Sequence, residues 1–319
     1  MERAVDGTGA PVAVAPAISV RNVTVREVGP RDGLQSEAPL PVEARARLIT
    51  MLSGTGVPKI EAVSFVSARA VPAMAEAADV WARVERSPIV RYSALVPNRR
   101  GASAALAAGG FASLQAFLAA SDGYNTRNVG KSVSESIEDV SGVVAEASEA
   151  GVPVECSISA AFGDPYEGDV PADRVADIAE RLTGVGVAGV SLGDTTGMAT
   201  PTRIWTVLEA VRTRLPGVRL NLHLHDTRGT AMANALAALE VGVDEFDTSV
   251  GGLGGSPFAP GANGNLATED LVHMLQDMGI ETGVSLERVL EASAEVQTMV
   301  GHSAPSQVSK AGPRWAVGG

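Results

Sequence analysis

Between residues 23 and 252 the chain repeats one arrangement eight times: a short run of β-branched and apolar residues, then a connection long enough to cross a sheet. The short runs fall at 23–29, 59–66, 90–96, 113–120, 152–160, 189–194, 219–226 and 245–252. Ala-, Glu- and Arg-rich stretches with helical periodicity lie at 42–52, 70–86, 135–150, 172–183, 201–215 and 231–241. Strands separated by helices pair in parallel, because each must return to the same end of the sheet before the next begins. Eight such units in about 250 residues predict an α/β fold of the (β/α)8 TIM-barrel type; a doubly wound open sheet is the competing arrangement. Helical patterns at 269–278 and 286–300 predict extra C-terminal helices after the eighth strand. No shift in composition marks a second domain. One catalytic domain is expected over 20–302, with a disordered leader at 1–19 and a loosely structured tail at 303–319.

A barrel of this kind carries its active site on the loops at the strands' C-terminal ends, and the chemically informative residues fall there. Arg31-Asp32-Gly33 follows the first strand, Gly193-Asp194-Thr195 ends the sixth, and His223-Leu224-His225-Asp226 ends the seventh. Side chains alternate along a strand, so His223 and His225 share one face while Leu222 and Leu224 take the other. The leucines suit packing under the helices, which turns the histidines toward the barrel mouth. Two imidazoles there can converge on one metal ion; the competing reading is two core histidines with satisfied hydrogen bonds. Closure of the barrel sets the eighth strand between the seventh and the first. Asp32 and Asn265, the latter in Gly261-Ala262-Asn263-Gly264-Asn265, can then join the set. Two nitrogen and two oxygen ligands with open positions suit Mg²⁺ or Mn²⁺, and zinc is not excluded by ligand type.

Arg31 carries a permanent charge and a rigid fork of donors, suited to an oxyanion beside a metal. It is equally suited to an ion pair with Glu27 or Glu61, and the two roles are compatible. Asp194 is either a cofactor-binding group on the rim or a turn or helix cap. His273 and His302 are expected to be structural, and Cys156 to be a small buried hydrophobe. Arg99 and Arg100 follow the third strand, Arg127 and Lys131 the fourth; these cations are candidates for meeting phosphates.

A net charge of −12 argues against nucleic acid and anionic membrane surfaces as partners. No run approaches the roughly 20 apolar residues of a membrane span. The single cysteine excludes an intrachain disulfide framework, suits a reducing compartment and, with the leader's lack of a targeting pattern, predicts a cytoplasmic protein. A homo-oligomer is compatible with the sequence.

The stretch from Glu27 to Gln35 (EVGPRDGLQ), with residues 60–67, 191–197, 223–227 and 251–271, resembles the hydroxymethylglutaryl-CoA lyase family. That family sits in the metal-dependent barrel superfamily that also holds isopropylmalate and homocitrate synthases. The resemblance runs from about residue 23 to 287. It implies metal binding by Asp32, His223, His225 and Asn265, with Arg31 polarising a thioester carbonyl and Glu61 beside it. The implied reaction is retro-Claisen cleavage of a 3-hydroxyacyl-CoA to acetyl-CoA and a keto product, with Asp32 or His223 as base. Ser256 stands where the family usually carries a loop cysteine. A thiol of pKa about 8.5 exchanges protons near neutrality and a hydroxyl does so far less readily, so the proton donor is either Ser256 or a metal-bound water. Two other activities fit the same site: acetyl-CoA-dependent condensation, as in the superfamily's synthases, and acyl-CoA binding without turnover. The synthases' first-strand motif reads differently from the one here.

Overall fold

The computed structural model describes residues 18–255 and 264–315. Eight parallel strands close into a barrel in chain order, β1 (Thr24–Glu27), β2 (Lys59–Ser64), β3 (Arg91–Leu95), β4 (Ser113–Ala119), β5 (Val154–Ser159), β6 (Gly189–Asp194), β7 (Leu220–Leu224) and β8 (Glu245–Thr248). β8 pairs with β1, Thr24 opposite Glu245 and Glu27 opposite Thr248. The open-sheet alternative is thereby ruled out, since an open sheet leaves its two edge strands unpaired.

Around the barrel run α1 (Val42–Ser53), α2 (Ala77–Arg83), α3 (Arg99–Ala108), α4 (Asp122–Val129), α5 (Val133–Glu149), α6 (Ala172–Gly184), α7 (Pro201–Arg214) and α8 (Ala231–Glu240). Local chemistry sets several of their starts. Ser132 and Glu135 form a reciprocal capping box at α5, and Pro201 occupies the first turn of α7, where its missing N–H costs nothing. After β8 come α9 (Thr268–Asp277), α10 (Leu286–Val300) and α11 (Val308–Ala311). α11 lies beyond residue 302; Asp270 of α9 accepts hydrogen bonds from Gln307 and Val308 at its start.

The apolar core fills the layer between sheet and helices. Val190 and Leu192 of β6 and Leu220, Leu222 and Leu224 of β7 belong to it. So does Cys156 of β5, which is fully buried, as a small hydrophobe should be. The opposite face of the same strands lines the barrel and is polar at most levels. Arg26, Gln115, Glu155, Asn221, His223 and Asp247 all stand there, linked by hydrogen bonds. A charged lining costs desolvation unless each group is paired, and these are paired with one another. Hydrophobic burial holds the helices to the sheet, while the interior is left free for chemistry at its open end.

Candidate active site at the barrel mouth

The turn after β1 is wound more widely than an α-helix. The carbonyl of Val28 accepts the N–H groups of Arg31, Asp32 and Gly33 at 3.1, 2.7 and 3.2 Å, so residues Gly29–Gly33 form one π-helical turn. Pro30, its second residue, has no N–H to place. The turn carries Arg31 and Asp32 to the mouth. On β7, His223 and the following His225 project to the same place, as alternation requires. A segment returning from the β8 loop completes the group: Leu266 N donates to Leu224 O, and Asn265 bridges to His225.

Asp32, His223 and His225 offer ligand atoms that all lie within 4.8 Å of one another. His223 Nε2 is 3.1 Å from His225 Nε2 and 3.7 Å from Asp32 Oδ2. Asn265 Nδ2 donates to Asp32 Oδ2 at 2.8 Å and to Leu253 O at 2.9 Å. Its carbonyl oxygen, Oδ1, is buried with no hydrogen-bond partner among the described residues. An orphaned acceptor beside a carboxylate and two imidazoles is the donor set a divalent cation requires. Close packing of the loop enforces the arrangement. Gly254 has φ of +128°, and a Cβ there would stand 2.2 Å from Asn265 Nδ2 and 3.4 Å from Asp32 Oδ2. Only glycine fits.

The electrostatics favour ligation. Burial works against ionising Asp32, but the Arg31 charge, the two imidazoles and the Asn265 hydrogen bond outweigh it and hold the carboxyl down to about 2. Burial, with His223 alongside, pushes His225 down to about 3, so its ring is neutral at ordinary pH. His223 moves the other way: burial is outweighed by its bond to Asp247 and by the charge of Asp32. Arg31 pairs through Nε with Glu61 and through Nη1 with Asp32. Of its two sequence-derived partners, then, Glu61 is taken and Glu27 is not. Nη2 has no protein partner among the described residues and remains available to a ligand.

Asp194 ends β6; its Oδ1 accepts from Met198 N at 2.8 Å and Ala199 N at 3.0 Å, while its Oδ2 is buried with no hydrogen-bond partner among the described residues. It holds the loop after β6, the capping alternative of the sequence reading, and burial pushes it up to about 7. Ser256 and Asn263 fall outside the described residues. His273 stacks on Trp315 and His302 pairs with Glu37, both remote from this cluster in role. Of the rim cations, Arg99 reaches Glu146 at 3.6 Å, Lys131 pairs with Asp139, and Arg127 lies 4.1 Å over the Tyr166 ring. Asp247, which sequence reasoning passed over, backs His223 from within the barrel at 3.2 Å. Its signal was an acidic residue at alternate spacing from Glu245 in a strand otherwise fit for burial.

Residues 22–296 match the family described as HMGL-like. The chain is 45% identical over 288 residues to the hydroxymethylglutaryl-CoA lyase YngG of Bacillus subtilis, covering 90% of this chain and 96% of that one. To the mitochondrial hydroxymethylglutaryl-CoA lyase of Gallus gallus it is 44% identical over 295 residues, covering 92% and 99%. Among solved structures it superposes on a hydroxymethylglutaryl-CoA lyase from Acinetobacter baumannii, in complex with coenzyme A and 3-methylmalate. The TM-score is 0.90 at 36% identity, covering 94% of this chain and 98% of that one. A closed parallel barrel with Asp32, His223 and His225 gathered at its mouth, matched along nine-tenths of its length to such relatives, places the chain in the HMGL-like family, alongside the hydroxymethylglutaryl-CoA lyases.

Proposed function

We propose that this carbon–carbon lyase cleaves hydroxymethylglutaryl-CoA, or a closely related 3-hydroxyacyl-CoA, to acetyl-CoA and a keto product. The observation that carries the reading is the convergence of Asp32, His223 and His225 beside Arg31, whose orientation Glu61 fixes. Asp32, His223, His225 and Asn265 are the residues that would hold a divalent ion. Mg²⁺ or Mn²⁺ fits the mixed nitrogen and oxygen set best, and Zn²⁺ is the alternative.

In the reaction the 3-hydroxyl loses its proton and its oxygen becomes the carbonyl of the keto product. The electron pair of the breaking C2–C3 bond passes to C2 and gives the enolate of acetyl-CoA, which then takes up a proton. Arg31, anchored through Nε and Nη1, would present Nη2 to the thioester oxygen, where the enolate charge collects. Both candidates for the base carry a handicap. Asp32, held down to about 2, is a weak proton acceptor. His223 has a single lone pair, at Nε2, which ligation would occupy. Such weak bases suffice only for an acidified hydroxyl, and a divalent ion held by these residues would supply that acidity as a Lewis acid. Enolate protonation is assigned to Ser256 or a water.

The partner is an acyl-CoA small molecule, and Arg99, Arg100, Arg127 and Lys131 are proposed to meet its phosphates, against the overall charge of −12. No helix among the described residues is long and apolar enough to cross a membrane; a cytoplasmic location is proposed on the lone buried Cys156. Release of acetyl-CoA from a panel of 3-hydroxyacyl-CoA thioesters, including hydroxymethylglutaryl-CoA and citramalyl-CoA, tests the reading. Turnover confined to citramalyl-CoA would reassign the substrate, and none on any thioester would favour a binding protein.

A further inference from the structure

Behind the metal-ligand cluster, inside the barrel, lies a buried polar assembly that the proposed chemistry leaves unused. Asp247 of β8 is in register with Arg26 of β1 on one side and with His223 of β7 on the other. Paired residues of neighbouring parallel strands project to the same face, so all three meet at one level of the interior. Arg26 grips Asp247 with a fork: Nε donates to Oδ1 at 2.6 Å and Nη2 to Oδ2 at 2.9 Å. Asn221 Nδ2 donates to Oδ1 at 2.6 Å, and Arg26 Nη1 runs on to Glu155 Oε2 at 2.8 Å. His223 Nδ1 lies 3.2 Å from Asp247 Oδ2. Arg26 and Asp247 are 2% and 3% exposed, so water does not compete for these bonds.

A carboxylate held by a guanidinium fork is ionised and offers only lone pairs. The nitrogen of His223 facing it must therefore carry the hydrogen. The neutral ring is fixed as the Nδ1–H tautomer, with its bare lone pair at Nε2, on the side where His225 Nε2 and Asp32 Oδ2 lie at 3.1 and 3.7 Å. His225 has no such support, its Nδ1 being buried without a partner among the described residues. We propose that Asp247 is the positioning residue that makes His223 a metal ligand, by setting its tautomer and ring plane, and that Arg26 and Asn221 hold Asp247 in place to do so. The inference rests on reading the cluster as a divalent-metal centre. Outer partners of ligating histidines typically affect metal affinity 10–100-fold.

Two measurements on the full-length protein test it. Nitrogen-15 NMR of the metal-stripped wild type at mildly alkaline pH should show His223 protonated at Nδ1 and bare at Nε2. A hydrogen on Nε2 overturns the proposal, and this measurement decides the matter even where a variant fails to fold. Asp247→Asn, with its circular dichroism unchanged, should bind Mn²⁺ about 10–100-fold more weakly than wild type in a direct titration. Equal affinity in the two folded proteins overturns the positioning role alone. Failure of the wild type to bind Mn²⁺ brings down the metal reading and this inference with it.

Discussion

His223 Nε2 and His225 Nε2 face each other across 3.1 Å, although residues two apart on a strand start about 6.5 Å apart. The rings lean together. Two ligands at right angles around an ion roughly 2.1 Å from each would be separated by about 3.0 Å. The structure thus holds the two nitrogens near the spacing that shared coordination demands, with Asp32 Oδ2 at 3.7 Å closing the third side.

Metal binding should therefore stabilise the fold. At a free Mn²⁺ concentration 100-fold above the dissociation constant the gain is about 2.7 kcal/mol, seen as a higher Tm that EDTA reverses. His225→Ala should lose most of this shift. An identical Tm with Mn²⁺ and with EDTA in the wild type would contradict the assignment.

Arg31 is anchored by two carboxylates and has Nη2 to spare, so its contribution should appear in the chemical step. Arg31→Lys keeps a charge but loses the fork. The expected outcome is a fall in kcat of about 10²–10³ with KM changed far less, as for removal of an oxyanion donor. A change confined to KM would show that Arg31 only binds substrate.

Glu27 ties the two halves of the site's scaffold together. Its Oε1 accepts from Gly29 N at 2.7 Å, at the start of the Asp32 turn, and from Val250 N at 2.9 Å, at the start of the β8 loop. Oε2 accepts from Thr268 Oγ1 at 2.6 Å. Burial pushes this carboxyl up to about 7 despite those donors. Since the folded pKa lies above the unfolded value near 4.5, the folded state binds the extra proton between the two. Stability is full below about 4.5 and is lost as pH rises through about 7, by roughly 3 kcal/mol if Glu27 titrates alone. Glu27→Gln, which mimics the protonated form, should gain stability relative to wild type between pH 5 and pH 8. Parallel denaturation curves at the two pH values would refute this.

Much of this site was legible in the sequence because periodicity fixes direction. His223 and His225 had to share a face, and the eight-unit spacing had to close the ring and bring Asp32 alongside. Asn265 was reachable by the same logic. What sequence could not supply was pairing in depth. Arg26, Glu155 and Asp247 come from three strands distant along the chain, and only closure of the barrel brings their side chains into contact. Asp194 was open between two roles, because sequence does not show which groups its two oxygens meet. α3 and α4 lay outside the helical periodicities. Gly101 interrupts one, and Asp122–Val129 has little helix propensity without its Ser121 cap.

Ser256, outside the described residues, is proposed as the proton donor. A hydroxyl is a weaker proton donor near neutrality than the thiol that the sequence resemblance leads one to expect there. Ser256→Cys should raise cleavage of hydroxymethylglutaryl-CoA, and general acid assistance of about 10²–10⁴-fold sets the scale. Unaltered or slower turnover would mean that protonation runs through a water.

The most direct test is acetyl-CoA release from hydroxymethylglutaryl-CoA by metal-stripped protein, with Mn²⁺ or Mg²⁺ added back. Turnover without metal should be negligible. Restoration should bring saturable release, with the keto acid formed in equal amount, and none of it in Asp32→Ala or His225→Ala. Metal-independent cleavage, or full activity in those variants, would contradict the proposed function.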